Sequence, residues 1–263
     1  MNKLPFANKE LGQHFLRDQK VIDSITSDWS SECDAIIEIG PGPAILSRNL
    51  ANIGKPYYVI EKDSRFKELL IEIMPEDNIL ITDALKVDWQ QYLAQRKLKD
   101  KKIWLVSNLP YNVGTVLFTQ FLQISNIQYM TLMFQKEVGD KTYMREEKNS
   151  MNGLLFLSLN YFNSKRLLKV SPGCFAPPPK VDSVVVSYDR KVDPEISTKD
   201  FSKLNHFTRL LFSMKRKQIQ SVLKSAYPIE KITIALDICN IESNLRAETL
   251  NFKQVRELFK ALN

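Results

Sequence analysis

The sequence predicts an α/β domain built on a parallel sheet covered on both faces, followed by a small all-helical domain. Three observations carry that expectation. Short, almost wholly apolar runs recur between residues 35 and 188. Helical stretches alternate with them, the pattern of a sheet buried on both sides. Beyond a polar segment at 189–200 only helical periodicity remains.

Taken in order, Ala35–Ile39, Tyr57–Ile60, Ile79–Thr82, Ile103–Ser107 and Tyr129–Phe134 read as strands. Ile45–Ala51, Phe66–Met74, Trp89–Arg96 and Val116–Leu122 read as the helices between them. Met151–Phe162 predicts a buried helix. Leu167–Val170 and Val184–Tyr188 predict two further strands flanking a proline-rich loop. Asp189–Asp200 (DRKVDPEISTKD) reads as an interdomain linker. After it come Phe201–Met214, Gln218–Ala226, Ile229–Asp237 and Ala247–Leu262, all helical. The expected domains are residues 1–190 and 191–263.

Composition narrows the function. The 263 residues are 44% hydrophobic and 25% charged, as in ordinary globular chains, and the net charge is +7. A basic balance favours an anionic partner, nucleic acid first. Cys33, Cys174 and Cys239 lie far apart, so neither a zinc ribbon nor a disulfide framework is expected. His14 and His206 are the only histidines and lie near no thiol pair, so no metal site is expected. Met1–Glu10 lacks an apolar targeting core, and no apolar stretch is long enough to span a membrane; a cytoplasmic protein is expected. Nothing calls for an obligate interface, so a monomer is expected.

The residues at the strand ends carry the chemistry. Asn108-Leu109-Pro110-Tyr111 follows an apolar strand, where open α/β sheets place ligands. The Asn108 side-chain oxygen and the Leu109 carbonyl are two acceptors for the two hydrogens of an exocyclic base nitrogen. Tyr111 offers a stacking face. Pro110 stiffens the turn and brings no N–H. No strong general base is needed there, because the nitrogen becomes acidic only as a methyl group arrives. Glu38-Ile39-Gly40-Pro41-Gly42 is a glycine turn at the end of the first of these strands. It lacks both the dinucleotide fingerprint and a following Lys-Ser/Thr, so no pyrophosphate is expected on it. Glu61 follows Gly40 at the spacing of an acid that accepts ribose hydroxyls. Asp83 suits either an exocyclic amine or a helix N-cap. Together these strand ends describe an adenosine pocket without phosphates, and S-adenosylmethionine is such a ligand.

Two other segments stand out. In Val170–Ser183 (VSPGCFAPPPKVDS) Phe175 is able to sandwich a flipped base opposite Tyr111. From this segment alone, a proline-bound hairpin with Phe175 in the core is the stronger reading. Between Phe201 and Tyr227 lie Lys203, His206, Arg209, Lys215, Arg216, Lys217 and Lys224 with no acid among them. That run reads as a phosphate-contacting patch or as a solvated helix face, with Leu204, Phe207, Leu211 and Met214 as the apolar side.

These residues resemble the rRNA adenine N6-dimethyltransferase family, and within it the bacterial group acting on small-subunit rRNA. The likeness runs nearly end to end. It takes in Leu11–Leu16 (LGQHFL), Glu38–Gly42 (EIGPG), Glu61, Asp83-Ala84-Leu85, Asn108–Tyr111 (NLPY), Gln135–Val138 (QKEV), Phe175–Ser183 (FAPPPKVDS) and Lys215-Arg216-Lys217. The resemblance implies a Rossmann-like class I methyltransferase sheet over residues 1–190 and a helical RNA-substrate domain over 191–263. It implies methyl transfer from S-adenosyl-L-methionine to two adjacent adenosines of a 16S rRNA hairpin in the 30S subunit, two methyls on each. By position, cofactor contacts fall on His14, Leu16, Gly40, Glu61, Asp83 and Asn108. The target base falls on Asn108, Leu109, Tyr111 and Phe175, and RNA contacts on Lys215, Arg216 and Lys217. His14 stands where many members have Asn, Ala44 where a third glycine is frequent, and Lys141 near a frequent Arg. Two alternatives stay open: a large-subunit rRNA target, and a module that checks subunit assembly with methylation incidental.

Overall fold

The computed structural model describes residues 8, 12–144 and 150–263. Leu11 of the LGQHFL motif and, apart from Asn8, the segment 1–10 lie outside the described residues.

The elements follow one another as β1 (Phe15–Leu16), α1 (Gln19–Ser27), β2 (Ala35–Ile39), α2 (Ser47–Ala51), β3 (Tyr57–Glu61), α3 (Lys67–Ile71), β4 (Ile79–Ile81), α4 (Trp89–Gln95), β5 (Ile103–Asn108), α5 (Gly114–Leu122), β6 (Ile127–Gln135), α6 (Lys136–Gly139), α7 (Gly153–Tyr161), β7 (Phe162–Val170), β8 (Phe175–Ala176) and β9 (Ser183–Arg190). Four helices complete the chain: α8 (Phe201–Leu211), α9 (Ile219–Leu223), α10 (Ile229–Ile238) and α11 (Phe252–Leu262). By their contacts these elements fall into two units, Met1–Asp140 with Ser164–Arg190, and Lys141–Asn163 with Lys191–Asn263.

The first unit holds a seven-stranded sheet in the order β4-β3-β2-β5-β6-β9-β7. Strands β4, β3, β2, β5 and β6 run parallel, and β9 is antiparallel to β6. The sheet is therefore mixed, where the sequence predicts a parallel one. The proline-rich loop before β9 carries no crossover helix, which a parallel return requires. All five residues of β2 and the first five of β5 are buried, as central strands covered on both faces must be. After β2 the chain builds outward to β4, then returns to lay β5 on β2's other side. That reversal opens a crevice at the carboxyl ends of β2 and β5. There the buried Ser107 hydroxyl donates to the Ile39 carbonyl at 2.7 Å, tying the two strand ends together where they diverge.

Some elements depart from expectation. The periodicity reading passes over α1, although Asp18 caps it (Val21 N–H to Oδ1, 3.1 Å) and Val21, Ile22 and Ile25 form its buried stripe. The pairing of β1 with β8 places Leu16 opposite Phe175 and Phe15 opposite Ala176. It has no periodic signature because each strand is two residues long. The predicted helix at 66–74 shrinks to α3 behind a 3₁₀ turn. The predicted helix at 247–262 is broken at Asn251, which starts α11 with a reciprocal capping box to Gln254.

The second unit takes in Lys141–Asn163, which a single boundary at 190 assigns to the first domain. The reason is packing: α7 lies on α8, with Gly153 close against Thr208, and Phe156 stacks on Phe252 at 4.8 Å. The polar segment after β9 is less free than a linker. Ile196 is buried there, and its N–H and C=O bond the Asn160 carboxamide at 3.0 and 2.9 Å. Among the described residues no helix is long and apolar enough to cross a membrane, and no cluster of acids, histidines and cysteines is placed to hold a metal ion.

Arg190, the last residue of β9, caps the end of α5. Its guanidinium donates to the carbonyls of Ile127 (2.6 Å), Ile124 (2.9 Å) and Leu122 (3.3 Å). Replacing a charged donor that serves several carbonyls strands all of them. The Arg190→Met variant is expected to lose on the order of 2–4 kcal/mol in urea denaturation, with an unchanged m-value.

Candidate active site

The glycine turn after β2 is shaped by backbone conformation. Gly40 and Gly42 sit at φ +67° and +52°, the left-handed region that glycine enters without a Cβ clash. Ala44 adopts φ +61° as well, so this chain keeps at position 44 the conformation for which a third glycine would be suited. The Gly42 N–H donates to Glu61 Oε2 at 2.8 Å, and the Asp63 N–H donates to Oε1 at 2.7 Å. One carboxylate at the end of β3 thus ties the turn after β2 to the turn after β3. Burial pushes the Glu61 carboxyl upward, and the two peptide donors oppose that shift.

Glu38, one pleat back on β2, is the second buried acid. Its Oε2 accepts from the Ser47 hydroxyl at 2.7 Å and from the Tyr57 hydroxyl. Burial, with the Glu61 charge adding to it, lifts its carboxyl from 4.5 to about 7, against the pull of the two hydroxyl donors. Asp83, after β4, does what a capping residue does: Oδ1 accepts from the Leu85 N–H at 3.0 Å. Its Oδ2 pairs with the exposed Lys62 ammonium at 2.9 Å. Lys62 is the main reason its carboxyl lies below the usual range. Both readings of Asp83 survive, since it is a cap and also lines the cavity.

Asn108 closes β5. Its amide nitrogen donates to the His14 carbonyl at 3.1 Å, which leaves Oδ1 as the acceptor for a ligand. Leu109 is buried, and its N–H goes to the Met133 carbonyl. The N–H groups of Val113 and Gly114 go to the Pro110 carbonyl, so the turn closes without using the carbonyl of Leu109. Tyr111 is half-buried. Its hydroxyl shares a 2.7 Å hydrogen bond with the Ser183 hydroxyl, and its ring stacks on the His14 ring at 5.3 Å and 30°.

Residues 13–16 run as a strap along this edge. The Gln13 amide donates to Asp63 Oδ2 at 3.0 Å, and His14 Nδ1 lies 2.8 Å from the Pro177 carbonyl and so carries the proton. Phe15 and Leu16 pair with β8. Phe175 stands apart from the other expected site residues. It is fully buried in the hydrophobic core, opposite Leu16 in the ladder, and is absent from the cavity wall. The β1–β8 ladder holds it there, as the proline-bound hairpin reading expects.

His14, Leu16, Gly40, Glu61, Asp83, Asn108, Leu109 and Tyr111 all line one cavity of about 130 Å³, together with Glu38 and the apolar Ile39, Ile60 and Ala84. That is roughly ten times the ~10–15 Å³ a single water needs. Three acids, one of them lifted to about 7 and one paired with the Lys62 that also lines the cavity, stand on a wall otherwise largely apolar and suit a ligand rich in hydroxyl and amine donors. Lys215, Arg216 and Lys217 are placed elsewhere, exposed in the turn between α8 and α9. Lys203, His206, Arg209 and Lys224 are exposed too. Met214 is exposed because α8 stops at Leu211 and no longer turns it inward.

The family model for ribosomal RNA adenine dimethylase matches residues 6–263. The chain belongs to the ribosomal RNA adenine dimethylase family. Among its relatives in that family, the ribosomal RNA small subunit methyltransferase A of Clostridium botulinum (strain Kyoto / Type A2) is 34% identical over 265 residues, covering 98% of this chain and 95% of that protein. The protein of the same name from Clostridium acetobutylicum is 34% identical over 260 residues, covering 95% and 92%. Two solved structures share the fold. A dimethyladenosine transferase from Plasmodium falciparum has a TM-score of 0.70 at 23% identity, covering 93% of this chain and 96% of that one. The 23S rRNA methyltransferase ErmE has a TM-score of 0.67 at 24% identity, covering 94% and 99%.

Within this rRNA dimethylase, sequence reading misses several supporting residues. Ser47 and Tyr57 bond Glu38 from 9 and 19 positions away and carry no local pattern, while Gln13 and Ser183 lie in the quoted motifs without any sign there that they bond Asp63 and Tyr111. Glu38 has a signal, since it is the lone acid in the apolar run AIIEI. It also has a consequence for stability. Because its folded carboxyl is raised, the folded state holds a proton that the unfolded state releases. Stability therefore falls as pH rises from about 4.5 to 7 and levels off above. Glu38→Gln removes that titration while keeping an acceptor for both hydroxyls. Urea melts at pH 5 and pH 8 are expected to show wild type losing up to roughly 3 kcal/mol relative to the variant across the interval.

Proposed function

We propose that this chain dimethylates the N6 nitrogens of two adjacent adenosines in a small-subunit (16S) rRNA hairpin during 30S assembly, with S-adenosyl-L-methionine as methyl donor. The observation that carries the reading is the acceptor pair at the end of β5. Asn108 is oriented by the bond from its amide nitrogen to the His14 carbonyl, and the Leu109 carbonyl is left unused by the turn. The names of the relatives support the small-subunit target.

The cavity fits the donor. Glu61, with one peptide N–H already on each oxygen, retains acceptor capacity for the ribose hydroxyls. Asp83 stands where an adenine amine can donate, and the left-handed glycine turn brings backbone close without a Cβ. Glu61, and Glu38 once it ionises, would bring negative charge near a cationic ligand. When bound, the cofactor supplies an electrophilic methyl group on positively charged sulfur.

This chain's own residues do the rest by orientation. An adenine nitrogen is a poor nucleophile while its lone pair is delocalised into the ring. Asn108 Oδ1 and the Leu109 carbonyl, each holding one N–H, favour a pyramidal nitrogen and aim its lone pair. Tyr111 holds the base plane. The proton is shed once the nitrogen has become acidic, so positioning and fixed dipoles carry the rate.

In Asn108→Ala the cofactor isotherm is expected to stay measurable by calorimetry, while methylation of unmethylated 30S particles falls by about 10²-fold or more. Full turnover in that variant would remove the acceptor pair from the mechanism. The exposed loop carries a separate expectation. Changing Lys215, Arg216 and Lys217 to Gln is expected to flatten the log–log salt dependence of RNA binding by up to about 2, at about 0.7 for each phosphate the loop no longer neutralises.

A further inference from the structure

Resting on that reading, we infer that His14 is a positioning residue for the base platform and sets which face of Tyr111 a base can use. Three contacts converge on this one residue. Its carbonyl accepts from Asn108 Nδ2 at 3.1 Å. Its ring lies against the Tyr111 ring, 5.3 Å between centroids and 30° between planes. Its Nδ1–H donates to the Pro177 carbonyl at 2.8 Å, so the ring is held from two sides.

The two ends of Tyr111 are then both fixed. The hydroxyl is bonded to Ser183 at 2.7 Å, at the start of β9, and the ring is backed by His14. An aromatic ring has two faces, and His14 covers one of them. A base stacks on the other. Phe175 is buried opposite Leu16, and the ring found against Tyr111 is the imidazole, which keeps the platform from tilting. The same residue orients the carboxamide that grips the amine. Side chain and main chain of His14 thereby align the plane and the hydrogen-bond acceptor of one substrate. An amide side chain at position 14 keeps the main-chain half of this device and lacks the ring.

The test uses the full-length protein with His14→Ala, His14→Asn and His14→Phe. Ring carbon–proton shifts of ¹³C-labelled tyrosine in the ligand-free protein report the stack without any turnover. The Tyr111 signals are expected to move in His14→Ala and His14→Asn and to stay near wild type in His14→Phe. Steady-state methylation of 30S particles is expected to show kcat down about two- to tenfold in Ala and Asn, the equivalent of one missing aromatic pair, and recovered in Phe. The resemblance puts a cofactor contact at position 14, but this imidazole is held on Tyr111 and the Pro177 carbonyl, so cofactor affinity by calorimetry should stay within about twofold in all three, a shift of no more than ~0.4 kcal/mol. Unchanged tyrosine shifts in His14→Ala overturn the proposal. So does unchanged or raised kcat, which would make the imidazole a mere occupant of the base position. A weakened cofactor isotherm with intact kcat would make His14 a cofactor contact instead. Wild-type protein inactive on the particles counts against the proposed function alone, because the tyrosine shifts are read independently of it.

Discussion

The hydrogen bond from the Asn108 carboxamide to the His14 carbonyl is the constraint on which the site depends. A carboxamide has one donor end and one acceptor end, and fixing the first decides where the second points. That single choice links the end of a central strand to a segment 94 residues earlier. It works only because the strap is itself anchored, through Gln13 to Asp63 and through Phe15 and Leu16 to β8. The motifs that stand apart in the chain are parts of one hydrogen-bonded assembly. NLPY meets FAPPPKVDS at Tyr111 and Ser183, and QKEV meets it where Gln135 pairs with Ser183 and the Lys136 N–H reaches the Asp182 carbonyl.

The side of the cavity that carries the buried acids has a different logic. Burial and then the Glu61 charge raise the cost of ionising Glu38, and the chain sets donors against the burial of both acids: peptide N–H groups on Glu61 and two hydroxyls on Glu38. Such an arrangement holds negative charge in reserve beside an apolar wall. In the proposed reading a positively charged donor molecule would relieve that cost, and stability and affinity would draw on the same pair of groups.

Much of this is legible in the sequence for physical reasons. Central strands such as Ala35–Ile39 and Ile103–Ser107 are nearly continuous apolar runs because both faces are covered, and that signal is strong. Strand ends follow from it, and so do Gly40, Glu61, Asp83 and Asn108. What is illegible depends on distance. The strap's contacts join residues 50 to 163 positions apart, with no local periodicity to mark them. The inward turn of Phe175 is set by a two-residue ladder. Membership of Lys141–Asn163 in the helical unit is set by a helix face, α7 on α8, which no boundary drawn along the chain can express. The antiparallel direction of β9 is hidden because a buried strand reads the same either way.

The short ladder between β1 and β8 has a consequence for how the pocket accepts its ligands. Leu16 and Phe175, both buried, pin the strap from beneath. The wall that carries His14 is thus an extension of the hydrophobic core, with no hinge between them. In the proposed reading, acceptors and platform would then be held in place before anything binds, and little free energy of association would be diverted to reorganisation. Selectivity in such a preorganised pocket comes from complementarity to a rigid template.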